Sequence, residues 1–161
     1  MARMVTVTVR MMAPVEYADW QRDIAEAYAE EQVTAGRWPR EGAVRRALEE
    51  NAAALPQGVD TPRMLVLRGV DAAGEPVGRA WVGLDHPRGA PDVAFLYDLE
   101  VVEERRGSGL GRALLAAVEE EVRQAGVGAL ELNVFGPNVV AISLYDSAGY
   151  EVTTQQMRKS L

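Results

Sequence analysis

Six residues near the middle of the chain, Arg106-Gly107-Ser108-Gly109-Leu110-Gly111, have the composition of an anion cradle. Glycine lets backbone N–H groups approach a ligand with no Cβ in the way. Just beyond, Leu110, Leu114, Val118 and Val122, with Leu115 beside them, recur at helical spacing, so a helix starts inside the glycine run. A helix N-terminus carries unpaired N–H groups and partial positive charge, and so attracts phosphate. Arg105, Arg106 and Arg112 add cationic charge to an otherwise acidic chain. On residue types alone the segment is either a phosphate-binding loop or a glycine-rich helix start without a ligand. It is not a P-loop, because no Lys-Ser/Thr follows the glycines. Nor is it a dinucleotide fingerprint: Gly107, Gly109 and Gly111 have the wrong spacing, and Glu103-Glu104 separates them from the preceding strand.

Two further groups of side chains could do chemistry. Asp98 and Glu100 are two apart in an apolar strand, so they share a face and could bind a cation or relay a proton. The alternative is a pair of solvated or salt-bridged carboxylates. Asn138, Ala141 and Tyr145 fall at i, i+3 and i+7 and share a helix face. A phenol with a pKa of ~10 keeps its proton at neutral pH and can donate it in a transition state; otherwise Tyr145 is a core aromatic. The one histidine, His86, sits in the turn His86-Pro87-Arg88-Gly89 and reads as a surface residue without an acid–base partner. A multi-His metal site is thereby excluded, and any Ser-His-Asp triad would depend on that residue. With no cysteine there are no disulfides, thiolate metal sites or Cys nucleophiles.

The elements that must position these groups can be read from periodicity. Residues 4–12 alternate as a strand, with Val5, Val7 and Val9 against Thr6, Thr8 and Arg10. Pro14 suits a first helical position. Tyr17, Trp20, Ile24 and Tyr28 form the stripe of a helix that Gly36 closes, and a second helix is expected over 41–54. Strands are expected over 63–70 and 77–84, joined by the hairpin loop Asp71-Ala72-Ala73-Gly74, then over 92–102 and 129–135. Helices are expected over 109–125 and 138–147, the latter with Asn138 as N-cap and Gly149 past its end. A last strand or hairpin is expected over 150–161. The order implies a mixed α/β (α+β) domain around a central sheet, with antiparallel hairpins early and a crossover helix late.

At 161 residues one domain spanning 1–161 is expected. A 48% hydrophobic and 25% charged composition excludes wholesale disorder. No run approaches the ~20 apolar residues of a membrane span, and the N-terminus lacks a signal-peptide pattern. The expected setting is cytoplasmic, with no membrane partner. Net charge is -7, from 17 Lys+Arg against 24 Asp+Glu, which disfavours duplex nucleic acid and suits a cationic substrate such as an amine. Trp20, Tyr28 and Trp38 are candidate pocket walls, of which Trp38, in the loop Gly36-Arg37-Trp38-Pro39, is the one not accounted for by a core stripe. Met157-Arg158-Lys159 reads as strand surface.

Several motifs in order resemble one family. Arg106-x-x-Gly109-x-Gly111 is similar to the Gln/Arg-x-x-Gly-x-Gly/Ala loop of the GNAT superfamily of acetyl-CoA-dependent N-acyltransferases. Residues 99–105 resemble the end of that family's fourth strand and its turn, and Leu132-Asn133-Val134 its fifth strand. Asn138-x-x-Ala141-x-x-x-Tyr145 with Gly149-Tyr150 resembles its fourth helix, and Gly74-x-x-x-Gly78 its hairpin between strands two and three. The resemblance covers the chain from about Arg63 to the end.

It implies a single domain with a mixed, mostly antiparallel sheet, about four flanking helices, and strands 4 and 5 splayed apart. Acetyl-CoA is the implied co-substrate, with no metal. Its diphosphate would sit on the N–H groups of Arg106, Gly107, Ser108, Gly109, Leu110 and Gly111, with Arg112 nearby. Its pantetheine arm would pair with strand-four backbone at Leu99 and Val101, as an added strand does. Asn138 and Ala141 would face that arm, and Tyr145 would protonate the departing thiolate. Asp98 or Glu100 would bind the ammonium or relay its proton; where relatives often carry a carboxylate this chain has Tyr97. A strand-four N–H near Leu99 to Val101 would stabilise the oxyanion. The implied reaction is direct attack of a primary amine, from a small molecule or a peptide or protein, in a ternary complex. A homodimer is a further expectation. The competing reading is a non-catalytic acyl-CoA-binding sensor or interaction module of the same fold.

Overall fold

The structure is a computed structural model that describes residues 5–161. Its elements run β1 (Thr8–Met11), α1 (Pro14–Thr34), α2 (Ala43–Ala54), β2 (Met64–Val70), β3 (Pro76–Gly83), β4 (Val93–Val101), α3 (Leu110–Gln124), β5 (Ala129–Leu132) and α4 (Val139–Ser147). The sheet order is β1-β2-β3-β4-β5. The first four strands are antiparallel neighbours, and β5 joins β4 in parallel through the α3 crossover. This is the expected single mixed domain with four helices.

Each face of the sheet has its own core, because side chains alternate along a strand. Leu67, Ala80, Val82, Ala94 and Leu96 face α3, whose Leu115, Val118 and Val122 are buried on them. Val66 and Trp81 face the other way, with Trp20 and Ile24 of α1 packed over them. A small-residue seam of Ala25, Ala29, Ala43 and Ala47 joins α1 to α2. Helix α1 starts at Pro14, and the Glu16 carboxylate accepts the Ala13 N–H at 3.0 Å, which satisfies a donor that helix geometry leaves free.

Close approach of α3 to the sheet depends on two glycines opposite each other, Gly69 on β2 and Gly78 on β3. A Cβ on Gly69 would lie 2.6 Å from Leu114 Cδ1, and one on Gly78 2.8 Å from Leu114 Cδ2 and 2.4 Å from the Glu100 carbonyl oxygen. The fully buried Leu114 occupies this notch. The pair therefore sets the height of α3, and with it the loop at the α3 N-terminus.

Three expectations need correction. Within the described residues the first strand starts only at Thr8; Met4 lies outside them. Strand β5 ends at Leu132 rather than Phe135. Residues 150–161 form no strand or hairpin, and Met157-Arg158-Lys159 is therefore exposed tail rather than strand surface. The physical reason lies in Thr153-Thr154-Gln155-Gln156, a polar run with no alternating apolar face to bury. The tail is tied instead to the turn after α1: Arg37 donates to Gln156, and Arg158 to the Ala35 carbonyl.

Candidate active site

The β4–β5 ladder is short. It pairs Val93–Leu96 with Ala129–Leu132, and β4 continues to Val101 with no strand paired to it on that side among the described residues. Val102 N–H donates to Val77 O, and the Glu100 carbonyl lies over Gly78, so those residues point to β3. By alternation Leu99 and Val101 turn their N–H and C=O groups into the gap. The register of β3 on β4 shifts between Trp81, opposite Asp98, and Val82, opposite Leu96, leaving Tyr97 as the extra residue of a bulge. Tyr97 stacks on Trp81 at 4.3 Å.

At the mouth of the gap the loop after β4 turns into α3. Gly107 and Gly109 both have left-handed backbones, with φ of 77 and 78°, and a Cβ on either would meet nothing within 4 Å. Gly109 is the N-cap of α3 and gives it no side-chain cap. The first-turn N–H groups therefore stand free over open space. Ser108 Oγ donates to Arg105 O at 2.7 Å, tightening the turn. The arginines are less free than their charge suggested. Arg105 pairs with Asp71 at 2.8 Å, and Arg112 donates to Ser147 at the end of α4. Arg106 folds back on β4, donating to Glu100 and, at 3.3 Å, to the outward-facing Val101 carbonyl.

Gap and loop open onto one cleft of about 2510 Å³. Of the sequence-derived candidates, Asp98, Leu99, Glu100, Val101, Arg106, Gly107, Gly109, Gly111, Arg112, Asn138, Ala141 and Tyr145 all line it. Ser108 and Leu110 do not; Leu110 is buried in the core. Asn138 caps α4, accepting the Ala141 N–H at 3.2 Å, and this fixes the helix face that carries Tyr145. Tyr145 is half-buried, and burial, then the charges of Asp98 and Glu31, push its phenol up to about 12.

The carboxylates of β4 are tied together. Arg79 donates from Nε to Asp98 at 2.9 Å and from Nη2 to Glu100 at 2.8 Å. The Trp20 indole N–H adds a bond to Asp98 at 3.3 Å. Burial pushes the Asp98 carboxyl up, against the pull of Arg79 and Trp20. Across the cleft stands a carboxylate that the sequence reading missed, Glu31 of α1. Glu31 is exposed to the cleft, and partial loss of hydration, then the charges of Asp98 and Glu100, push its carboxyl up from the ordinary value. A signal was present: Ile24, Tyr28 and Glu31 continue the α1 stripe at helical spacing, so a charge falls where an apolar residue was due.

Residues 19–150 match the Acetyltransferase (GNAT) family. The chain belongs to this family. Among its relatives, the uncharacterized N-acetyltransferase YycN of Bacillus subtilis is 32% identical over 160 residues, covering 97% of this chain and 99% of that protein. The YycN crystal structure superposes with a TM-score of 0.90 at 30% identity, over 97% of this chain and 99% of that one. The PaiA N-acetyltransferase of Thermoplasma acidophilum, solved in complex with coenzyme A, shares the fold at 18% identity, with a TM-score of 0.66 over 94% of this chain and 93% of that one.

Two aromatic or titratable candidates of this GNAT chain serve its framework instead. Trp38 does not line the cleft; it packs edge-on against Tyr28 at 5.4 Å and under the Arg46 guanidinium at 4.2 Å, bracing α1 on α2. His86 is buried, not a surface residue. Its Nδ1 accepts the Arg88 N–H at 3.1 Å, which places the ring proton on Nε2, 3.0 Å from Glu131 Oε1 on β5. That partner is 45 residues away, out of reach of a local reading.

Proposed function

We propose that this chain transfers an acetyl group from acetyl-CoA to a primary amine by direct attack in a ternary complex. The observation that carries the reading is the juxtaposition of an unpaired β4 edge with a glycine cradle at a helix N-terminus, both opening onto the same cleft. The fit to the donor is chemical. An anionic diphosphate suits free N–H groups with no Cβ over them, and an amide-bearing arm suits a strand edge that offers N–H and C=O groups. Acetyl-CoA supplies the acetyl group as a thioester.

The chain's own residues then have distinct tasks. The free N–H groups of Gly107 to Gly111 hold the diphosphate, since the Arg106 N–H is bonded to the Glu103 carbonyl at 3.3 Å, and the diphosphate draws the Arg106 side chain off the Val101 carbonyl. Leu99 and Val101 pair with the arm, and one of their N–H groups faces the oxygen on which charge develops. Asn138, whose carbonyl is already committed to its helix, has amide hydrogens left to donate, and the small Ala141 leaves room beside it. Asp98 and Glu100, balanced by Arg79 and Arg106, stand in the same cleft as Glu31, which is unpaired among the described residues, and the resulting excess of negative charge attracts an ammonium. Tyr145, protonated across the physiological range, gives its proton to the leaving sulfur.

A continuous assay of thiol release tests this. Acetyl-CoA offered with small amines and with amine-bearing peptides should give release that depends on the amine. Stabilisation of the protein by acetyl-CoA with no amine-dependent release from any acceptor would favour the sensor reading and overturn this one.

A further inference from the structure

We infer that Glu31 is the proton acceptor for the attacking amine in the reaction just proposed, and the inference rests on that reading. Three carboxylates line the acceptor side of the cleft near Tyr145: Asp98, Glu100 and Glu31. A general base needs an oxygen that can take a proton without dismantling its surroundings. Asp98 and Glu100 fail this requirement, because Arg79 holds one with Nε and the other with Nη2. The Arg79 side chain is only 15% exposed, so protonating either carboxylate strips a largely buried cation of counter-charge. Glu100 is further engaged by Arg106, and Asp98 by Trp20. The Glu31 carboxyl has no hydrogen-bond or ion-pair partner among the described residues.

The surroundings of Glu31 favour taking a proton. Asp98 and Glu100 face it from β4 and Tyr145 from α4. Arg79 of β3 is already spent on the two β4 carboxylates, and Arg37, in the turn after α1, donates to the tail at Gln156. Partial loss of hydration, then the charges of Asp98 and Glu100, push the Glu31 carboxyl up, the direction in which a base gains a firmer hold on a proton. The α1 backbone is rigid here, since Ile24, Ala25 and Ala29 of the preceding turns are buried.

The proton balance closes. The ammonium gives one proton to a Glu31 oxygen, and its nitrogen bonds to the acetyl carbonyl carbon. As the C–S bond breaks, the sulfur takes the Tyr145 proton. The second proton of the new amide nitrogen returns through water to the Tyr145 oxygen, and Glu31 releases its own proton to solvent through the open cleft. One amide, one thiol and one proton result.

The test compares wild type, Glu31→Gln and Glu31→Asp with a primary alkylamine that the wild type acetylates. Glu31→Gln should lower kcat about 100-fold, within the range for loss of a general base. It should also abolish the fall of kcat on the acid side of the pH profile, while coenzyme A affinity by calorimetry stays at the wild-type value. Glu31→Asp should keep the acid limb. A wild-type acid limb in Glu31→Gln, or a parallel loss of coenzyme A affinity, overturns the inference and leaves the acetyltransfer reading standing. Absence of turnover with every amine for the wild type brings down both.

Discussion

Alanine at Gly78 provides a severe test of how the fold holds the site. Its Cβ would stand 2.4 Å from the Glu100 carbonyl oxygen, whereas carbon and carbonyl oxygen rest at roughly 3.3–3.6 Å. The overlap of about 1 Å involves backbone and cannot be relieved by a rotamer change; β4 must move at Glu100. Overpacking of this kind costs about 1–3 kcal/mol, and a backbone clash belongs at the upper end. Loss of glycine's freedom in the unfolded chain returns at most ~1 kcal/mol. A net loss of about 2–3 kcal/mol lowers the Tm of a domain this size by roughly 4–12 °C. Gly69→Ala should be milder, because its Cβ collides only with the tip of Leu114, 2.6 Å away. Urea denaturation followed by circular dichroism, in wild-type and Leu114→Ala backgrounds, separates the two. In the Leu114→Ala background Gly69→Ala should become neutral or stabilising, while Gly78→Ala still destabilises because the Glu100 oxygen remains. A Gly78→Ala cost below about 0.5 kcal/mol, or its full rescue by Leu114→Ala, would refute the reasoning.

Other outcomes follow from the same geometry. Tyr145→Phe should lower kcat by about 10²-fold with coenzyme A affinity nearly unchanged, as kinetics and calorimetry on the same preparation would show. Arg79→Ala should cost about 3 kcal/mol in denaturation, because Asp98, 13% exposed, loses its counter-charge. Glu16, held by Arg10, by the Ala13 N–H and by Arg68, has its carboxyl lowered to about 2 from 4.5. A depressed folded-state pKa means that its stabilisation, about 1–2 kcal/mol after screening, is complete above pH 4.5 and fades as pH falls towards 2. Glu16→Gln should flatten that part of the acid-unfolding curve.

Local signals carried far in this chain. The stripe from Leu110 to Val122 names the α3 residues that are buried, and Asn138 announces a helix start that the structure builds with its side chain. Gly107 and Gly109 are legible as a cradle because glycine tolerance of left-handed backbone is a property of single residues. Features made by distant partners were hidden. His86 looked like a turn residue until β5 brought Glu131 to it. The spacing of Asp98 and Glu100 showed a shared face, but not that Arg79 would bind both. Trp38 looked free because its loop position says nothing of Tyr28 and Arg46 packing around it. Glu31 lies three residues past the stripe of Tyr17, Trp20, Ile24 and Tyr28, and only the tertiary fold makes that position a cleft wall.

The central claim is that the free backbone N–H groups of residues 107–111 bind the diphosphate of coenzyme A. Calorimetric titration of coenzyme A into wild type, Gly109→Ala and Gly109→Glu tests it most directly, with circular dichroism confirming that each is folded. Alanine strains a backbone held at a φ of 78° and sets a methyl where the diphosphate would lie, so binding should weaken. Glutamate sets a negative charge in the cradle, and binding should vanish. Undiminished affinity in folded Gly109→Glu would contradict the account.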